Sequence, residues 1–135
     1  MRKGFFAVIA LTFFLNGCRY GMSVDSFPPA RTPRGVTTSI TTSNARFSGE
    51  LIEMRDSGVV ILAEKTFRLI PYSAIVASRF EGMKGSDKIS DRRPPKAEVR
   101  EHLRLVSRFP QGLTPELLRR LLDANRQADL AGEAL

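Results

Sequence analysis

The sequence predicts a mainly β domain with an α-helical C-terminus: five short strands curled into a small barrel, followed by a two-helix hairpin. Three observations carry this. Residues 36–81 hold short apolar and β-branched runs separated by turn residues. The apolar phase slips at Leu51-Ile52, two residues after Gly49, as it does in a bent or bulged strand. Beyond residue 97 the apolar residues fall at three- and four-residue steps, which places them on one face of a helix.

The length of 135 residues allows about one small domain with a modest core. The formal charge is +7, from 21 Lys+Arg against 14 Asp+Glu. Without Arg2 and Lys3 the balance is 19 against 14, or +5. That permits anionic partners without demanding them, since net charge also keeps small proteins soluble. The lone cysteine, Cys18, forbids an internal disulfide, so the fold stands without staples. One histidine, two tyrosines and no tryptophan leave little material for a metal site or a stacking platform.

Residues 1–17 have the organisation of an export signal. Arg2 and Lys3 form a positive start, and residues 4–15, GFFAVIALTFFL, form an apolar run. That run is short for a bilayer span, which needs roughly 20 apolar residues, and it has the length of a secretory core segment. It ends in Leu15-Asn16-Gly17-Cys18. These four residues resemble the lipobox of bacterial lipoproteins, with Leu15, Gly17 and Cys18 in the matching places and Asn16 where a small or apolar residue is usual. The resemblance implies cleavage before Cys18, a diacyl group on its sulfur, and an acyl chain (palmitate or similar) on the new N-terminus. Two or more chains suffice for stable anchoring. By the sorting rule of such lipoproteins, Arg19 rather than Asp after the cysteine implies an outer-membrane location facing the periplasm, the inner membrane being the alternative.

Residues 18–35 hold Pro28, Pro29 and Pro33 and show no helix or strand period, so they form a semi-stiff tether. The β unit spans 36–81. Residues 36–43, VTTSITTS, are rich in β-branched residues and make the first strand. Residues 46–55 form the second, bent near Gly49. Asp56-Ser57-Gly58 is a tight turn. Residues 59–63, VVILA, are apolar throughout, as a strand in a crowded interior must be. Glu64-Lys65 is a short polar turn, 66–70 alternate, and Pro71 stops that strand. Ser73-Ala74 form a single helical turn before the fifth strand at 75–80.

Five strands with a tight turn before the last describe a small SH3-like barrel, and the layout resembles its Sm-like variety. The matching pieces are FSGEL at 47–51, the Asp56 turn, VVIL at 59–62 and IPYSAI at 70–75. RNA binders of that family place an Asn after the Asp turn and an Arg-Gly pair near the last strand. This chain has Ser57-Gly58-Val59 and Arg79-Phe80-Glu81-Gly82 instead. The resemblance therefore implies a fold and not RNA binding.

Two constellations invite a chemical reading. Glu50, Glu53, Asp56 and Glu64 could serve as paired carboxylates, but on strands they alternate with apolar residues, as solvated outer-face charges do. Arg46, Arg55, Arg68 and Arg79 could contact phosphates, but Phe47, Phe67 and Phe80 occupy core-like positions and offer no stacking. No catalytic, cofactor or metal residues are assigned, and Cys18 is the one expected modification site.

Residues 82–97, GMKGSDKISDRRPPKA, have the composition of a basic flexible linker, with Arg92, Arg93 and Lys96 clustered. Residues 98–131 follow as the helical hairpin, with Val99, Leu103 and Val106 on the face of the first helix. His102 has no second ligand at metal spacing. Thr114 caps the second helix, with Pro115 at its first position and Glu116 in its first turn. Its stripe is Leu117, Leu118, Leu121 and Leu122. The helices can pack on each other, on the barrel or on a partner. Residues 132–135 are expected as a disordered tail.

The chain is thus expected to be a membrane-anchored envelope lipoprotein, not an enzyme, acting as a binding or scaffolding module. An envelope protein would meet the barrel edge or the helical tail. A nucleic-acid-binding Sm-like module is the alternative, and it requires residues 1–18 not to be a leader.

Overall fold

The computed structural model describes residues 34–132. The signal segment, Cys18, the tether up to residue 33, and residues 133–135 lie outside the described residues.

The five expected strands are present: β1 Thr37–Thr42, β2 Arg46–Met54, β3 Gly58–Ala63, β4 Thr66–Pro71 and β5 Ile75–Phe80. A 3-10 turn, Tyr72–Ala74, precedes β5. Two helices follow, α1 Ala97–Leu105 and α2 Pro115–Ala124. Thr114 caps α2 as its sequence demands, its side chain accepting the Leu117 N–H at 3.2 Å. A sixth strand, β6 Ala131–Gly132, stands where the end of the hairpin and a loose tail were expected.

The sheet order is β5-β1-β2-β3-β4-β6. Every neighbouring pair is antiparallel except β4–β6, so the sheet is mixed. It is not closed into the expected five-stranded barrel, because the outer edges of β4 and β5 are taken up separately. Gln127 seals the start of the β4 edge with its side-chain amide. The Phe67 N–H donates to Gln127 Oε1 at 2.8 Å, and Gln127 Nε2 donates to the Phe67 carbonyl at 2.6 Å. β6 continues along Arg68 and Leu69. On the far side, residues 89–92 run beside β5. Covered edges cannot template association with another chain.

The bend in β2 lies where the apolar phase slips. Its register against β3 shifts between Leu51 and Glu53. Gly49 is required just before it, since a Cβ there would stand 2.1 Å from the Leu62 carbonyl oxygen. The hairpin from β3 to β4 turns through Glu64 and Lys65, both at positive φ (51° and 65°), as a two-residue turn matched to strand twist demands.

Two hydrophobic clusters lie on opposite faces of the sheet. In β3, Val59 and Ile61 enter one, while Val60 and Leu62 point into the other. That two-sided burial is why β3 is apolar throughout. The first cluster takes Ile40, Leu51, Ile70, Ile75 and Phe80, and α1 contributes Leu103 and Val99. The second takes Ile52 and Phe67, and α2 contributes Leu122, Leu118 and Leu121. The expected hairpin is therefore corrected. The buried residues of the two helices belong to different clusters, and each helix covers its own face of the sheet. Each large apolar side chain so buried stabilises the fold by about 1.5–3 kcal/mol.

Gly49→Ala should lower unfolding stability in urea by at least about 1–3 kcal/mol, the usual cost of overpacking. Lys65→Gly should raise it by roughly 0.5–1 kcal/mol by relieving a positive φ.

Candidate functional site: a groove beside β5

The candidate site grows from the segment after β5. Phe80 ends that strand buried in the first cluster, and Ile89 returns to the same cluster with no exposed surface. Between these two anchors the chain turns twice. The Met83 N–H donates to the Phe80 carbonyl at 3.3 Å, and the Asp87 N–H to the Lys84 carbonyl at 2.9 Å. Gly82 takes a positive φ of 74° at the first turn. After Ile89 the backbone follows β5 in the opposite direction. The Ile89 N–H donates to Ser78 Oγ at 2.7 Å, the Asp91 N–H to the Val76 carbonyl at 3.2 Å, and the Arg92 N–H to the Ile75 carbonyl at 2.8 Å. The stretch with the composition of a flexible linker is thus attached to the sheet at several points. Its one large aliphatic residue, Ile89, is the sequence signal for that attachment.

The loop stands off the sheet and leaves a groove of about 670 Å³. This lies within the range of about 300–1,000 Å³ usual for ligand sites. Its wall on the sheet side carries the hydroxyls of Thr37, Ser39, Ser48 and Ser78, and Arg79, Lys84 and Lys88 contribute cations. Ser39 Oγ accepts from Arg46 Nε at 3.0 Å, while the hydroxyls of Thr37 and Ser48 have no partner among the described residues. Two acids also line the groove. Glu81 is exposed, and Asp87 is buried. Asp87 Oδ1 lies 3.4 Å from His102 Nδ1 on α1, joining the loop to that helix. A second, smaller concavity of about 280 Å³ lies near Asn44, Phe47 and Arg68, where the Arg68 guanidinium sits 5.0 Å from the Phe47 ring centre.

The acidic residues singled out in the sequence separate into two kinds. Glu53 is 7% exposed, so it is not a solvated charge. Its Oε1 accepts the Leu113 N–H at 2.8 Å and its Oε2 accepts Arg55 Nε at 2.8 Å. Glu50 is half-buried, with Oε1 accepting the Gly35 N–H at 2.8 Å and Oε2 3.6 Å from Arg108 Nη1. Asp56 is exposed and pairs with Arg100 at 3.0 Å, and Glu64 is exposed in its turn. The four do not converge on one site. The arginines are dispersed as well: Arg46, Arg55 and Arg68 each have a partner, and Arg79 alone reaches the groove. Tyr72 is buried and its hydroxyl donates to the Arg55 carbonyl at 2.7 Å. Burial pushes its phenol above the usual tyrosine range, against the opposing pull of Arg100. Among the described residues no cluster of three or more His, Cys, Asp or Glu is placed to hold a metal.

Comparison of the chain with protein-family models, with curated proteins and with solved structures finds no match.

Ser78→Ala leaves the buried Ile89 N–H without its acceptor, at a cost of about 1–3 kcal/mol. Amide exchange should accelerate at Ile89, Asp91 and Arg92, while β2 and β3 keep their protection in the same hydrogen-exchange experiment.

Proposed function

We propose that the chain is a lipid-anchored protein of the bacterial envelope, acylated at Cys18, whose folded domain is a non-enzymatic binding or scaffolding module. The groove beside β5 carries the binding part of this reading. It is preformed, attached to the sheet on both sides of its loop, and lined by hydroxyls and cations that suit a polar or anionic ligand. Sequence carries the anchoring part: Arg2 and Lys3, the apolar residues 4–15, and the Leu15-Asn16-Gly17-Cys18 resemblance. The first strand begins at Thr37, after the proline-bearing stretch, which leaves that stretch available as a tether. Arg19 supports an outer-membrane location facing the periplasm.

The strand order β5-β1-β2-β3-β4 around a bulged second strand supports kinship with the small SH3-like barrels of Sm-like type. A nucleic-acid role is the second reading, favoured by Arg79, Lys84 and Lys88 in the groove. It is weakened by the aromatic lining, which is Phe80 alone and buried, because single strands bind on exposed stacking platforms.

Intact mass of the protein from a bacterial expression host tests the anchoring directly. A chain beginning at Cys18 and carrying acyl chains is expected. It should incorporate an alkyne-labelled fatty acid that Cys18→Ser does not. A chain beginning at Met1 with an unmodified Cys18 would sink the proposal.

A further inference from the structure

We infer that residues 84–96, of which 89–92 run along β5, form a docking face for anionic phospholipid headgroups. Lys84, Lys88, Arg92, Arg93 and Lys96 are all exposed. The two acids in the same stretch do not balance them. Asp87 is buried beside His102, and Asp91 is the one exposed carboxylate of the stretch against its five exposed cations. The exposed charge of the stretch is mostly positive. The middle of the stretch is held to β5 through the Ile89, Asp91 and Arg92 N–H groups, so fewer residues must be ordered on binding than in a loose basic tail. The adjoining groove offers the free hydroxyls of Thr37 and Ser48 as donors to phosphate oxygens. The band contains no aromatic residue, so it provides no stacking surface for bases. Basic residues near an anionic leaflet add favourable energy additively and within a Debye length. The face therefore holds the domain down on its membrane. The inference rests on the envelope reading for the supply of that membrane, and the contact itself does not require the acyl chains.

Lysine acetylation read by mass spectrometry tests this on the full chain. The protein is placed with nanodiscs of phosphatidylcholine or with discs enriched in phosphatidylglycerol. Lys84, Lys88 and Lys96 should be labelled about fivefold more slowly on the anionic discs, and high salt should abolish the difference. Lys65, in the turn between β3 and β4, serves as the internal control and should be labelled equally on both. The double variant K84E/K88E should lose the difference at Lys96. Equal labelling of the band on the two discs would overturn the inference. So would equal protection on neutral discs by inorganic phosphate or by an oligonucleotide, each of which would assign the face to a soluble anion. Intact mass of the same sample separates the two proposals. An unmodified Cys18 defeats the anchoring whatever the footprint, and an acylated Cys18 with an unprotected band defeats the docking alone.

Discussion

The bulge in β2 is the constraint on which the rest of the domain depends. By inserting Ile52 as an extra residue between the pairs Leu51–Ile61 and Glu53–Val60, it changes the phase of the strand, so that Leu51 and Met54 both serve the first cluster while Ile52 serves the second. It also leaves the Leu51 and Ile52 carbonyls to be satisfied from outside the ladder, since buried backbone groups must find partners. The N–H groups of Arg108 and Phe109 provide this, each at 3.0 Å. Next to them the Leu51 N–H donates to the Val36 carbonyl at 2.9 Å, and the Val36 N–H donates to the Val106 carbonyl at 3.1 Å. The start of the β unit and the connection between the helices therefore meet at one bend. Glu50 and Glu53 flank it and hold Gly35 and Leu113.

This junction explains how two short helices of similar character serve opposite faces. The chain leaves α1 on the first cluster, passes the bend at Arg108-Phe109, and enters α2 on the second. β3 sits between the clusters and is buried from both sides. The domain gains two small cores where its length would otherwise allow one modest one. The edges follow the same economy. Gln127 with the two-residue β6 closes one and residues 89–92 close the other, so neither requires a further long strand.

Much of the fold was legible in the sequence because it is set locally. Alternation in 66–70, the apolar run 59–63, the phase slip after Gly49 and the Thr114-Pro115-Glu116 start of α2 each declare themselves within a few residues. What was not legible depends on partners far away in the chain. Glu53 looks like any strand carboxylate until Leu113 and Arg55 are brought to it. A glutamine at 127 has no strand signature, and its match to Phe67 arises only from the path of α2. The groove was hidden for a similar reason. Composition marked 82–97 as a linker, and only the burial of Ile89 against the sheet turns it into a wall.

The Gln127 clamp also orders events in time. Its bonds to Phe67 span 60 positions of sequence. A chain appearing from its N-terminus therefore presents β4 with an open edge until the residues after α2 arrive. Pairings so distant are slow to form, because a long loop must be closed before they contribute. During that interval the sheet is a half-finished surface able to recruit a foreign strand. The last part of the described chain thus acts as a temporal seal, and the interval before it closes is when the young protein is most exposed to misassembly.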